Sequence, residues 1–322
     1  MSELTHPSAM VAEVMEYLKV ESGAVYIDST EGAGGHTEAI LEASGPDGAV
    51  IGVDMDRDAL KLAAERLERF GERVRLLHGK FSQLERAVKE AGAIEIDGVL
   101  ADLGPSRIQL LSKDRGFSFD SEGRLDARMD QKQELTAWDI VNRYPRRELF
   151  KVLALTGKRR EAGKLADAIL TRRARGAIDT PKELAEIIRE TVGREKRGHV
   201  DASTEWLMAL RMHVNEEIEE AEAGIESAVR VLRPGGRLVV ISWDGTTHHA
   251  VRQKLRTLMR PCTCPPELGK CTCGKQPLIK VLTPNGIGAS EDERRVNPAA
   301  RTCRLFAAEV LSTESRRPGS SR

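Results

Sequence analysis

A glycine-rich segment, Asp28-Ser-Thr-Glu-Gly-Ala-Gly-Gly-His36, follows the short apolar run Val25-Tyr-Ile27. Glycine lets a ligand approach the backbone closely, and free N–H groups at the start of a helix bind polar or anionic groups. Tight turns use glycine too, but Asp54, which ends the next apolar run, could accept both ribose hydroxyls of an adenosine or cap the following helix. A dinucleotide site would need a third spaced glycine where Thr37 stands. The segment therefore favours S-adenosylmethionine over a nicotinamide dinucleotide.

A second carboxylate, Asp102, ends the fourth apolar run, in Asp102-Leu-Gly-Pro105. Ligands of doubly wound sheets bind at the carboxyl ends of the central strands. A carboxylate there can accept a hydrogen bond from an amino group and hold its nitrogen beside an activated methyl group. Asp102 is therefore the candidate catalytic residue, with capping of the following loop as the alternative. Phe81, after the third run, could lie against an adenine ring or belong to the core.

Four of the five cysteines, Cys262, Cys264, Cys271 and Cys273, fall within twelve residues. Four thiolates could hold a structural zinc ion tetrahedrally and fix a loop that has little core of its own. The single residue between the cysteines of each pair is a tighter spacing than structural zinc sites usually have, so reduced thiols without metal are the alternative. Cys303, beside the last predicted strand, is expected to be buried.

The segments that must position these residues alternate between short apolar runs and helical periodicity, which predicts a Rossmann-type α/β fold with a parallel sheet and helices on both faces. The predicted strands are Val25–Asp28, Val50–Asp54, Val74–His78, Asp97–Leu103, Arg237–Ser242 and Arg304–Val310. From Gly104 to Arg211 the sequence is loop-rich and then helical, without a predicted strand. We expect a discontinuous cofactor-binding domain of residues 1–103 and 212–311, a helical insertion of residues 104–211 for substrate recognition, and a disordered tail of residues 312–322.

Charge is uneven along the chain although 50 basic residues balance 50 acidic ones. The insertion holds 23 Lys and Arg against 17 Asp and Glu, a net charge of +6, which leaves 27 against 33 elsewhere. Its basic clusters are Arg143, Arg146 and Arg147; Lys158, Arg159 and Arg160; Arg172, Arg173 and Arg175; and Arg194, Lys196 and Arg197. Any one cluster could be a solvated helix face, but four together favour contact with RNA, whose phosphates supply most of the non-specific affinity.

Targeting signals give less information. The N-terminus has no basic and apolar signal segment, and no apolar run approaches the ~20 residues that span a bilayer. We therefore expect a cytoplasmic protein with no membrane contact and reduced thiols. The oligomeric state cannot be read from these features.

The motifs, taken in order, resemble the bacterial 16S rRNA (cytosine-N4)-methyltransferase family, also called RsmH or MraW, from His6 to about Val310. The matching stretches are Gly34-Gly-His36, Asp102-Leu-Gly-Pro-Ser106 with Gln109, Arg115-Gly-Phe-Ser-Phe119 with Leu125-Asp-Ala-Arg-Met129, Val214-Asn-Glu-Glu217, Pro234-Gly-Gly-Arg-Leu238 and Asn297-Pro-Ala-Ala-Arg301. Single motifs of this kind are common, whereas the ordered series is specific.

The resemblance implies a class I methyltransferase core with a helical insertion, S-adenosylmethionine as cofactor, and methyl transfer to N4 of a cytidine in the 16S rRNA of the small ribosomal subunit. It assigns cofactor contacts to Gly34, Gly35, His36, Asp54, Phe81, Asp102 and Gln109. Two of these have alternatives: His36 could be a helix-start residue bonded to the loop backbone, and Gln109 could be an exposed helix residue.

The substrate-side motifs differ from the family's pattern. Trp243 opens a stretch that is usually Phe-His-Ser-Leu-Glu-Asp-Arg, and Glu205 replaces an arginine. Trp206 and Trp243 could each stack on a flipped base or fill the core. Phe117 and Phe119 alternate in a glycine-rich loop, where one is expected to pack inward while the other could face the substrate. An active enzyme is the main hypothesis; the alternative is a diverged paralogue that binds RNA or ribosome and cofactor with altered or lost transfer.

Overall fold

The computed structural model of the chain describes residues 8–312 except residues 94, 120, 122, 194, 195, 198, 199, 202, 266 and 269–271. The chain divides into two compact units. Among the described residues, the insertion unit is Pro105–Glu217, and the sheet unit is formed by residues 8–104 and 218–312. The predicted tail, beyond Ser312, lies outside the described residues.

The strands belong to two sheets. They are β1 (Val25–Asp28), β2 (Ala49–Asp54), β3 (Val74–His78), β4 (Ile96–Asp102), β5 (Lys196–Arg197), β6 (Val200–Asp201), β7 (Leu232–Ser242), β8 (Ile279–Val281) and β9 (Arg304–Val310). Seven of them form one sheet in the order β3-β2-β1-β4-β7-β9-β8, while β5 and β6 pair with each other in the insertion unit. This is the doubly wound α/β arrangement expected from the sequence.

The helices flank the large sheet or build the insertion unit. They are α1 (Val11–Leu18), α2 (Gly35–Ala43), α3 (Arg57–Leu67), α4 (Leu84–Ala91), α5 (Arg107–Leu111), α6 (Ala137–Arg143), α7 (Arg146–Leu153), α8 (Arg159–Arg173), α9 (Pro181–Val192), α10 (Thr204–Val214), α11 (Glu217–Val231), α12 (Gly245–Met259) and α13 (Glu291–Val296). None of these described helices is both long enough and apolar enough to cross a membrane.

The structure corrects the sequence prediction in three places. β9 runs antiparallel to β7 and β8, so the sheet is mixed rather than wholly parallel. The three-residue β8 and the two-residue β5 and β6 were not predicted, because such short strands show no alternation. Pro234-Gly-Gly236 lies inside β7 and not before it. The segment forms an irregularity in the pairing with β4, because Ile96 pairs with Leu232 while Gly98, two residues later, pairs with Arg237.

Both faces of the central strands are buried, which explains their unbroken apolar runs. Ile27, Val99 and Val240 lie in one hydrophobic cluster with side chains of α4, α11 and α12. Leu100 and Val239, which alternate with them along the strands, lie in a second cluster with side chains of α1, α2 and α3. The sheet is therefore the middle of three layers, and its strand ends are the part left for a site.

The insertion unit has its own hydrophobic core. Trp206 of α10 packs there in one cluster with Leu149 of α7 and Ile188 of α9. Thr180 caps α9: its hydroxyl accepts the Glu183 N–H at 3.2 Å, and the Glu183 carboxylate accepts the Thr180 N–H at 3.0 Å. This capping box starts α9 and stabilises the unit independently of the sheet.

Two helical glycines give a matched test of packing. A Cβ on Gly224 in α11 would lie 2.0 Å from Cδ1 of Phe81, whereas a Cβ on Gly163 in α8 would meet nothing within 4 Å. Gly224→Ala should therefore lower the free energy of unfolding by about 1–3 kcal/mol through overpacking. Gly163→Ala should raise it by up to about 1 kcal/mol, because alanine has the higher helix propensity. Urea unfolding followed by circular dichroism checks both, and equal effects at the two positions would contradict the packing assignment.

Candidate active site

The carboxyl ends of the central parallel strands lie at one edge of the sheet. β1 pairs with β2 on one side and with β4 on the other, with Asp28 level with Gly52 and Leu100. Asp54 and Asp102 each lie two residues further along their strands. The register therefore brings the two acids singled out from the sequence, and Asp28 with them, to the same edge as the glycine-rich loop.

Thr30 joins the glycine-rich loop to β4. Its Oγ1 accepts the Asp102 N–H at 2.6 Å, and its own N–H donates to Oδ1 of Asp28 at 3.1 Å. The neighbouring Ser29 donates both its N–H and its hydroxyl to the carbonyl of Leu100 at 2.8 Å. These bonds fix the backbone of Asp102 relative to the loop. Sequence reasoning missed Thr30, because a hydroxyl in a glycine loop has no distinctive spacing.

Asp54 closes the other side of the loop. Its Oδ2 accepts the Gly32 N–H at 2.8 Å, and its Oδ1 accepts the Asp56 N–H at 2.8 Å. The residue that caps α3 is Asp56 and not Asp54, because the Asp56 carboxylate accepts the Asp58 N–H at the start of the helix. Each carboxylate oxygen of Asp54 has a further lone pair, so these bonds leave acceptor capacity for a ribose.

Three carboxyl groups of this loop are destabilised in their charged form. Burial, with the charge of Asp102, raises the pKa of Asp28 to about 6, and burial raises the pKa of Asp54 to about 6. Burial, with the charge of Asp28, raises the pKa of Glu31 well above its usual range. Oδ2 of Asp28 and Oε1 of Glu31 accept no hydrogen bond from the described residues. Sequence reasoning missed Glu31, whose charge gives no sign of burial until the loop is folded.

Asp102 and Trp243, predicted separately, meet at the end of the sheet. Nε1 of Trp243 donates to Oδ1 of Asp102 at 2.7 Å. Burial raises the pKa of Asp102, while the charge of His36 and the indole hydrogen bond act in the opposite direction. Asp102 as a whole is half-buried, and its Oδ2 accepts no hydrogen bond from the described residues. It can therefore accept a further hydrogen bond from a bound group.

The two glycines at the start of α2 meet different requirements. Gly34 has a φ of 82°, a conformation that favours glycine. Gly35 is closely packed, since a Cβ there would lie 2.1 Å from Oγ of Ser8. Backbone conformation at Gly34 and close packing at Gly35 therefore each require glycine, whether or not a ligand is bound.

His36 and Phe81 are both buried. Nε2 of His36 lies 2.8 Å from the carbonyl oxygen of Ala9. His36 is therefore a helix-start residue bonded to the backbone before α1, and not to the loop backbone that its alternative named. Phe81 is 4% exposed and lies in the core, where its ring faces Gly224. That is the core position considered for Phe81. Cofactor contact by either side chain stays a prediction.

The predicted residues of the insertion unit are mostly internal. Gln109 is buried, and its Oε1 accepts the Ser106 N–H at 2.9 Å in a capping box that starts α5, so it is not an exposed helix residue. Phe117 is buried and Phe119 is partly buried. Trp206 is 1% exposed in the core of this unit. Its ring offers no face to a base in this conformation, which corrects the stacking expectation in favour of core packing.

Asn215 ties two of the sequence motifs together within the insertion unit. Its Oδ1 accepts the Met129 N–H at 2.7 Å, and its Nδ2 donates to the carbonyls of Ala127 and Arg211 at 2.8 Å. Ala127 has a φ of 64°, an uncommon conformation for a residue with a side chain. The buried Asn215 therefore holds the Leu125–Met129 segment in a shape that its own sequence does not favour.

The cysteine-rich segment brings three thiols together. The Sγ atoms of Cys262, Cys264 and Cys273 all lie within 4.8 Å of one another. The Thr272 N–H donates to Sγ of Cys264 at 3.3 Å, and this bond lowers the pKa of the Cys264 thiol. Cys271, the fourth predicted ligand, lies outside the described residues. Cys303 is buried, as expected.

Comparison with known proteins gives a consistent result. Residues 3–311 match the sequence model of the MraW methylase family. The ribosomal RNA small subunit methyltransferase H of Geotalea uraniireducens is 42% identical over 314 residues, covering 97% of this chain and all of the relative. The proteins of that name from Geobacter sulfurreducens and Carboxydothermus hydrogenoformans are 42% and 39% identical, covering 95% and 96% of this chain and 99% of each relative.

The buried charge of Glu31 gives a pH-dependent prediction. The pKa of Glu31 is higher in the folded protein than in the unfolded chain. As the pH rises above the ordinary pKa of a glutamate, the unfolded chain loses this proton first, and the free energy of unfolding therefore falls. Glu31→Gln removes that cost while keeping an acceptor for the Thr37 hydroxyl, which lies 2.6 Å from Oε2. We expect the cofactor-free variant to melt about 2–4 °C higher at pH 8, with the gain shrinking towards pH 4.5.

The exposed Glu65 on α3 supplies the control, since Glu65→Gln should leave the melting temperature unchanged at every pH. Calorimetry across the pH range distinguishes the two variants. A Glu31→Gln effect that is equal at pH 5 and pH 8 would show that packing, and not charge, is responsible.

Proposed function

Because the chain belongs to the MraW methylase family, we propose that it transfers a methyl group from S-adenosylmethionine to N4 of a cytidine in the 16S rRNA of the small ribosomal subunit. The observation that carries the proposal is the position of Asp102 at the end of β4 beside the glycine-rich loop, where Thr30 bonds its backbone N–H and Trp243 bonds its carboxylate. The relatives near 40% identity cover almost the whole chain, which favours an active enzyme over a paralogue without transfer.

The loop residues fit S-adenosylmethionine in shape and charge. Gly34 and Gly35 allow the tight turn that starts α2, and Asp54 offers an acceptor for the ribose hydroxyls. A cationic ligand beside Asp28 and Glu31 would favour their ionised forms, which burial disfavours and in which one oxygen of each accepts no hydrogen bond from the described residues. The site would be supported from buried positions by three further side chains. His36 would fix α2, Phe81 would pack in the core, and Gln109 would fix the start of α5. When bound, the cofactor supplies a methyl group on a positively charged sulfur.

Asp102 would hold the attacking amine. A cytosine amino group is a weak nucleophile, so its position relative to the methyl donor matters more than its basicity. The ionised Asp102 can accept a hydrogen bond from one N–H, which keeps the nitrogen in place and stabilises positive charge that develops on it. The proton that the nitrogen must lose then has an acceptor in contact with it.

The insertion unit would bind the rRNA. Several basic side chains of its clusters are used within the fold: Arg146 pairs with Asp167 at 2.6 Å, and Arg173 donates to the carbonyls of Val141 and Tyr144. Others point outward: Arg147, Arg160 and Arg175 are exposed and form no ion pair among the described residues. These three are the candidates for phosphate contact. Phe119 and Trp243 remain candidates for contact with the base.

A ribosomal substrate would place the protein in the cytoplasm.

The transfer reaction tests the proposal. Purified protein with labelled S-adenosylmethionine should modify small subunits that lack the methylation, and nucleoside analysis should identify N4-methylcytidine. Asp102→Asn should lower kcat by about 100-fold or more, because it removes the charge that accepts the amine proton. Asp47→Asn, an exposed acid after α2, should have no effect. Transfer without N4-methylcytidine, or full activity of Asp102→Asn, would contradict the proposal.

We also propose that the cysteine cluster binds one structural zinc ion, through Cys262, Cys264 and Cys273 with Cys271 as the fourth ligand. Thiolates about 2.3 Å from a tetrahedral zinc lie just under 4 Å apart, close to the spread of the three described sulfur atoms. The lowered pKa of Cys264 favours the thiolate form that metal binding requires.

Metal analysis tests the zinc site. We expect close to one zinc per chain in protein purified without chelator, and its loss in Cys264→Ser. Cys303→Ser is the matched control, since that thiol is buried beside β9, and it should retain the metal. The zinc proposal would be wrong if the native protein contained no metal and all five thiols reacted with a thiol reagent after unfolding.

A further inference from the structure

Trp243 occupies a fixed position between β7 and α12. Asp102 pairs with Ile241, and the Leu103 N–H donates to the Ile241 carbonyl at 2.9 Å, so the backbones of β4 and β7 stay side by side at this point. On the following side, the Asp244 carboxylate accepts the N–H groups of Thr246 and Thr247 at 2.9 Å and starts α12. The backbone of Trp243 is therefore held on both sides.

The indole ring reaches from this position towards β4. A Cβ on Gly104, whose φ is 141°, would lie 3.4 Å from Cδ1 of Trp243, so the ring passes beside the backbone just after Asp102. Its N–H meets Oδ1 of Asp102 at 2.7 Å. An indole N–H is a donor only, so it can bond to the carboxylate but cannot take its proton.

We propose that Trp243 is a positioning residue that orients the Asp102 carboxylate for the target amine by occupying Oδ1 and leaving Oδ2 as the acceptor. This inference rests on the proposed function, in which Asp102 receives the amine. A hydrogen bond to a charged acceptor is stronger than one between neutral groups, so a single indole N–H suffices to select one carboxylate orientation. The bond also favours the ionised form, in which both oxygens can accept.

Other groups near Asp102 bear on its charge. His36 on α2 favours the ionised carboxylate, whereas Asp28 on β1 and Glu293 on α13 carry like charge. Cys303, before β9, is neutral in the ordinary range because burial raises its pKa to about 11. Trp243 is the only described side chain that donates a hydrogen bond to the Asp102 carboxylate.

Trp243→Phe separates orientation from stacking, because it removes the N–H and keeps an aromatic face. We expect kcat to fall about tenfold, the change that loss of one hydrogen bond to a charged group produces, with KM for S-adenosylmethionine within about twofold. The acid limb of the kcat profile should move to higher pH, because the carboxylate loses a group that favours its ionised form. In an Asp102→Asn background the same substitution should add little further loss.

Trp138→Phe is the matched control. It removes an indole hydrogen bond of similar length, from Nε1 of Trp138 to Oδ1 of Asp179 at 2.8 Å in the insertion unit, and should leave kcat and its pH profile unchanged. Wild-type kcat and pH profile in Trp243→Phe would overturn the inference. So would an equal loss from Trp243→Phe in the wild-type and Asp102→Asn backgrounds, which would indicate a general structural effect.

A measurement without turnover keeps the inference separate from the proposed function. The chain has three tryptophans, so a nitrogen-15 spectrum of the indole N–H groups is simple to assign by the loss of one signal in Trp243→Phe. The Trp243 signal should shift with pH as Asp102 titrates, and this shift should be absent in Asp102→Asn. If the Trp243 signal did not change with pH in either the wild-type protein or Asp102→Asn, the contact would be contradicted even if methyl transfer were found. The expected titration without any transfer would leave the contact intact and contradict the function alone.

Discussion

The backbone register that sets β1, β4 and β7 side by side decides which groups meet at the carboxyl edge of the sheet. Parallel pairing places Asp28 level with Leu100, and Asp102 level with Ile241. The loop after β1 and the turn after β7 then lie on either side of Asp102, where Thr30 holds its backbone and Trp243 its carboxylate. A shift of one residue in either pairing would turn these side chains to the opposite face.

The same edge buries carboxyl groups whose ionised forms the fold does not fully stabilise. Asp54 has a backbone N–H on each oxygen, whereas Asp28 and Glu31 each bury one oxygen that accepts no bond from the described residues. Burying such groups costs stability, and proteins usually accept that cost only at functional sites. A cationic cofactor would restore the balance, which gives the loop a physical reason to favour a sulfonium over a neutral thioether.

The insertion unit shows that a sequence motif can serve the fold more than the chemistry. The Leu125–Met129 segment is bound by Asn215, Gln109 caps α5, and Trp206 fills the core. Lys158 pairs with Glu205, the position where the family has an arginine, so the reversed charge has a partner inside the unit. Among the side chains that the unit exposes are Arg147 of α7 and Arg160 of α8.

The sequence by itself determined the repeating units and the cofactor loop, because burial on both faces of a parallel sheet imposes continuous apolar runs and a bare loop requires glycine. It placed Asp54 and Asp102 at strand ends, and it placed β9 to the residue. It could not give the antiparallel direction of β9, which depends on a connection through α12, β8 and α13 rather than on the strand's own residues. Only the tertiary structure decided that Trp206 is internal while Trp243 meets Asp102. The two indoles are chemically the same, and only the folded backbone determines that one is enclosed in a core while the other packs against a core and also meets a carboxylate.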